Sequence, residues 1–133
     1  MTIPTFAAIE LVVHDLAASL AFYRRIGLDI PAGSEEAPHV EFELPGGIRL
    51  LWDTVETVRS FEPDWTTPQG GHRVALGFDC ESPDVVDKVF TDLTDAGYRE
   101  RHAPWDAPWG QRYATIDDPD GNPVDLFAPL TTT

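Results

Sequence analysis

"AAIELVVHDLAASLAFYRRIGL", residues 7–28, carries the reading of the fold. Its first seven residues alternate around apolar Ile9, Leu11 and Val13, the period of a half-buried strand. Asp15 then stands where a helix N-cap belongs, and Leu16, Leu20, Tyr23 and Ile26 recur at helical spacing. Gly27 closes the helix. The unit recurs downstream. "RVALGFD" (73–79) reads as a strand, and "SPDVVDKVFTDLTDAG" (82–97) as a helix with Ser82 as N-cap, Pro83 at the first helical position and Gly97 as terminator.

Each strand–helix pair is followed by more strand signal. "HVEFELPGGIRLLW" (39–52) alternates on both sides of Pro45-Gly46-Gly47 and reads as a hairpin. "YRERHAPW" (98–105), "QRYATID" (111–117) and "PVDLFAP" (123–129) follow the second helix, with "DPDG" (118–121) as a tight turn. The order is β-α-β-β-β, an irregular connection over residues 53–71, then β-α-β-β-β, an α+β plan of two modules in one domain. The modules span 5–53 and 72–130, joined by a linker over 54–71.

Composition narrows the function. The chain has 133 residues, 42% of them hydrophobic and 24% charged, which suits one globular domain. Nine basic residues against 23 acidic ones leave a formal charge of -14. That balance argues against nucleic acid and against an anionic membrane surface. The single cysteine, Cys80, cannot form an internal disulfide and fits a reducing compartment. With no stretch resembling a signal peptide or a membrane span, a cytoplasmic location is expected.

"VVHDLAASLAFYRRIGLD" (12–29) and "DDPDGNPVDLFAP" (117–129) together resemble the vicinal oxygen chelate superfamily, which includes glyoxalase I, extradiol dioxygenases and bleomycin-resistance proteins. The resemblance spans nearly the whole chain. It implies two βαβββ modules whose sheets curl into a half-open barrel with the helices on the convex side, and a homodimer with shared modules. In the metalloenzymes of the family a ligand stands seven residues before the helix-starting Asp, which here is Ala8. A second corresponds to Arg73, with His72 one residue off register; a third falls in "IRLLW" (48–52), which has no carboxylate; the last corresponds to Asp125. One donor of four does not make a metal site, so neither metal nor other cofactor is expected.

Within the superfamily, "PWGQRYATIDDPDGNPVDLFA" (108–128) is most similar to the drug-sequestering proteins, in which the Trp of "PWG" belongs to the drug groove. That role carries over to Trp109. The segment "HAPWDAPWGQRYA" (102–114) adds Trp105 in a Pro- and Gly-rich setting. An aromatic wall there suits a planar ligand, and a stiff loop loses little entropy on binding. Trp52, Trp65, His39, Phe42, Arg112 and Tyr113 complete the candidate ligand-binding set. Trp52 has an even claim to groove and core, and Phe42 leans to the core. Alternation sends Arg112 and Tyr113 to opposite faces. Glu10, Arg73 and Asp125 share the concave side by register, so an internal ion pair of Arg73 with Glu10 or Asp125 is expected there.

The expectation is a metal-free, dimeric binding protein that sequesters a planar aromatic antibiotic: an anthraquinone-fused enediyne, a bleomycin or a mitomycin. The competing expectation is an enzyme of the same superfamily, a lyase, isomerase or dioxygenase, with Glu10, His39 and Asp125 as the acid–base candidates.

Overall fold

A computed structural model describes residues 2–130. The chain divides into two compact units, residues up to 68 and from 69 onward. The first contains β1 (Ala8–Val13), α1 (Leu16–Ile26), β2 (His39–Glu43), β3 (Arg49–Thr54) and α2 (Val55–Arg59). The second contains β4 (Leu76–Asp79), α3 (Pro83–Asp95), β5 (Glu100–Ala107), β6 (Gln111–Asp117) and β7 (Pro123–Pro129). The class is α+β, with one open mixed sheet in each unit.

In the first unit the sheet order is β1-β3-β2, β1 lying parallel to β3 and β2 antiparallel to it. Helix α1 starts where Asp15 accepts the backbone N–H of Ala18 at 3.0 Å and ends at Gly27, whose φ of 128° favours glycine. Leu16, Leu20 and Tyr23 are buried along one stripe. Leu11 and Val13 of β1, Val40 of β2 and Leu50 and Trp52 of β3 are buried with them. Ile26 is only half-buried.

Two details depart from the pattern expected of the sequence. Between α1 and β2 no strand forms; the chain makes a single 3-10 turn over Ser34–Glu36. Pro31 and Pro38 lack the N–H a ladder needs, and Gly33 has a φ of 89°. The stretch after β3 is not wholly irregular, because Thr54 caps the short α2 by accepting the N–H of Thr57 at 3.1 Å.

In the second unit the order is β4-β7-β6-β5; β4 runs parallel to β7 and the other pairs are antiparallel. Val86, Phe90 and Leu93 of α3 are buried, as are Ala114, Ile116, Val124, Leu126 and Ala128 of the adjoining strands. Strand β4 begins at Leu76 rather than residue 73, and Val74 is exposed. Leu76 pairs with Val124, so residues further back would fall opposite Pro123, which has no N–H, and the turn before it. Ser82 precedes α3, but its side chain makes no capping bond. The "DPDG" turn is locked by Asp118 Oδ1, which accepts the N–H groups of Asp120 and Asn122, each at 2.9 Å.

Candidate functional site

Each sheet has one face under its helix and one face free of it, and the two free faces differ in chemistry. In the first unit, burial of Leu11, Val13, Leu50 and Trp52 turns the alternate residues to the free face. There the register sets Glu10 beside Leu51, Leu51 beside Glu41, and His39 beside Asp53. His39 bridges two carboxylates: Nδ1 bonds Asp53 Oδ1, and Nε2 lies 2.8 Å from Glu41 Oε2. Arg49 donates to Glu41 at 3.1 Å.

Glu10 hydrogen-bonds Asp53, and that bond, with burial and the Asp53 charge, pushes the Glu10 carboxyl up to about 7. His39 opposes the rise and Glu62 adds to it. Burial works against the Asp53 carboxylate, but the hydrogen bonds from Glu10 and His39 outweigh it and hold this group below its ordinary value. His39 is raised by its bonds to Glu41 and then Asp53. The pair Glu10–Asp53 thus holds one proton near neutrality, with a histidine that favours its charged form beside it. Such an arrangement can give or take a proton.

The free face of the second unit is aromatic. Trp105 pairs with Tyr113, and Tyr113 with Phe127; in the next row His102 pairs with Thr115, and Thr115 with Asp125, which pairs with Gly77. Register shifts on either side of His102 bring both His102 and Trp105 to this face. Trp109, in the turn between β5 and β6, is 57% exposed and donates its indole N–H to Gln111 at 2.8 Å. The rings form a continuous array. His102 stacks on Trp105 with centroids 5.6 Å apart, Trp105 meets Trp109 edge to face at 5.5 Å, and Trp109 meets Tyr113 edge to face at 5.4 Å. Thr115 donates to Asp125 at 2.8 Å. Tyr113 also bonds Asp125, and burial together with that carboxylate pushes its phenol up to about 12.

The structure gathers Trp105, Trp109 and Tyr113 and places the other candidates elsewhere. Trp52 is fully buried under α1, meets Tyr23 edge to face and donates its indole N–H to Ser19 at 3.1 Å, so it belongs to the core. Phe42 pairs with buried Leu50 and is half-buried on the same helix-facing side. Arg112 points to the helix side, where it bonds Asp87 of α3 at 3.0 Å and Asp106 at 3.0 Å. Trp65 follows α2; Arg59 lies 5.8 Å from its ring centre and His14 6.3 Å. His39 stands in the polar cluster of the first unit.

The expected Arg73–Asp125 pair does not form. Arg73 lies exposed before β4, and Asp125 is bonded by two hydroxyls instead. Glu10 has Asp53 as its partner. Asp53 and Glu41 escaped the sequence reading. The signal was alternation: once Trp52 is core, Asp53 must face the other way, and Glu41 shares a face with His39. Metal donors do not fit the positions the superfamily uses, since Ala8 offers no donor and Leu51 occupies the free face of β3. Among the described residues no group of three or more His, Cys, Asp or Glu is placed to hold a metal ion. No helix among them is long and apolar enough to cross a membrane.

Comparison with known proteins agrees with this architecture. Residues 5–126 match the model of the Glyoxalase/Bleomycin resistance protein/Dioxygenase superfamily, and the chain belongs to that superfamily. Among solved structures, a glyoxalase/bleomycin resistance protein/dioxygenase from Nocardioides is 26% identical, with 100% of this chain and 88% of that one covered and a TM-score of 0.74. A family enzyme from Burkholderia phytofirmans PsJN is 20% identical, over 96% of this chain and 100% of that one, with a TM-score of 0.80. A lactoylglutathione lyase from Agrobacterium tumefaciens is 23% identical over 96% and 95%, with a TM-score of 0.66. The latter two show likeness of fold alone. No curated protein matches the chain.

Proposed function

We propose that this protein is a small-molecule binder that sequesters a planar aromatic, DNA-damaging natural product of the anthraquinone-fused enediyne, bleomycin or mitomycin kind. The observation that carries the reading is the array His102–Trp105–Trp109–Tyr113, which lies on a sheet face that no helix of its unit covers, with Trp109 largely exposed. Exposed Trp109 and half-buried Trp105 on a Pro-stiffened hairpin gain burial and stacking when a flat ligand arrives, at small conformational cost. The proposed working form is a cytoplasmic homodimer with a ligand groove at its interface, needing no metal. Titration of the purified chain with the three drugs, followed by tryptophan fluorescence, tests this. Saturable quenching by one of them is expected; three flat titrations would refute it.

A second reading rests on the Glu10–Asp53–His39 cluster. A carboxyl group poised near neutrality beside a carboxylate is suited to acid–base work on a small oxygenated substrate, as a lyase or isomerase of the superfamily would require. Turnover of a bound compound, abolished in Glu10→Gln, would favour it.

A further inference from the structure

The rings of the second unit do not form a parallel slot. Trp109 stands at 89° to Trp105 and at 81° to Tyr113. Rings packed edge to face make a corner, which offers π-faces in more than one direction instead of two flat walls. A flat neutral ligand stacks on one such face. A ligand with a positive charge gains from each face it approaches, because the face of every ring carries negative potential.

The fixed charge nearest the rings is negative. Asp125 lies one row from the Trp105–Tyr113–Phe127 row and is bonded by the hydroxyls of Thr115 and Tyr113. Its other neighbour in the row is Gly77, where a Cβ would meet the Phe127 ring at 3.3 Å, so an aromatic side chain also lies close to this row. Asp79, in the row of Phe127, is a second carboxylate on this side. The arginines of the unit's strands are paired: Arg112 bonds Asp87 and Asp106 on the helix side, and Arg101 bonds Asp117, in the row beyond Asp125 and away from the rings.

We propose that this aromatic face selects planar ligands carrying a positive charge, the corner of Trp105, Trp109 and Tyr113 holding the ring system and Asp125 supplying the counter-charge. The inference rests on the aromatic-binding reading above and narrows its ligand class to cationic heteroaromatics or ring systems with an attached ammonium group.

The test is a matched pair of probes, 1-methylquinolinium and quinoline, near neutral pH where quinoline is uncharged. They share shape and differ by one charge. Each is titrated into the full chain while the indole N–H resonances of Trp105 and Trp109 are followed by NMR. The expected result is that the cation binds about tenfold more tightly and that Asp125→Asn weakens the cation more than it weakens quinoline, so that most of the preference is lost. Equal affinity for the two probes overturns the charge selection and leaves aromatic binding standing. No shift with either probe overturns both. Should Asp125→Asn fail to fold, the comparison of probes on the natural chain still decides.

Discussion

The indole N–H of Trp52 donates to the hydroxyl of Ser19 across 3.1 Å, with both side chains fully buried. The bond ties the third strand to the first helix. Ser19→Ala leaves a buried donor without its partner and is expected to cost ~1–3 kcal/mol. Trp52→Ala opens a cavity in the same place and is expected to cost ~3–5 kcal/mol. Urea denaturation of the two variants measures both. A loss below that range for Trp52→Ala would return this residue to the surface.

Glu10 gives stability a slope in the neutral range. The folded chain holds the Glu10 proton up to about pH 7, whereas the ordinary value is 4.5. Between these values the folded state binds more protons than the unfolded one. The contribution is therefore complete below about pH 4.5 and is lost as pH rises through 7. His39, raised above its ordinary 6.5, acts in the same direction: its contribution is present below that value and disappears as pH rises through the folded one. Asp53, lowered from 3.8, acts oppositely and loses its contribution only in strong acid. Thermal melts are expected to fall from pH 5 to pH 8, and Glu10→Gln to flatten that fall. An unchanged slope in the variant contradicts the shared proton.

Tyr113 reports on Asp125. With its phenol pushed up to about 12, Tyr113 should ionise after an unperturbed tyrosine in an alkaline absorbance titration. Tyr113→Phe removes that late step, and Asp125→Asn moves it to lower pH by removing the adjacent negative charge. A late step that persists in Tyr113→Phe would assign it to another tyrosine.

Trp109 separates binding from folding. Because it is 57% exposed, Trp109→Ala is expected to change stability by no more than ~0.5 kcal/mol. Loss of a central aromatic contact should weaken a stacked ligand by about 2 kcal/mol or more. Arg112→Ala is the matching control: its ion pairs lie on the helix side and are worth ~0–1 kcal/mol, so ligand affinity should not move. Equilibrium dialysis with whichever ligand quenches the tryptophans checks the pair.

Regular elements were legible where local chemistry agreed with packing. Asp15, Gly27 and the "DPDG" turn mark boundaries through bonds made within a few residues, and Pro83 marks one through its fixed φ and missing N–H. The aromatic residues Trp105, Trp109 and Tyr113 were legible as a group because they lie close in sequence. Partners far apart were not. Glu10, His39 and Asp53 sit on three strands, and nothing local sets the register that joins them. Alternation alone carries β4 back to Arg73, but a strand extends only as far as its partner, and β7 begins at Pro123. Trp52 looked ambiguous until burial fixed which face of β3 meets α1.

Strand β5 forms the outer edge of its sheet, and its ladder is broken on both sides of His102. Pro104 removes one more donor from that edge. The same irregularity that brings Trp105 level with Tyr113 also spoils the edge as a template for strand addition. An exposed Trp109 beside a straight open edge would invite other chains to zip on and aggregate; the broken ladder makes this edge a poor template for them. A second copy meeting this protein would therefore do so through a face and not by extending the sheet past β5.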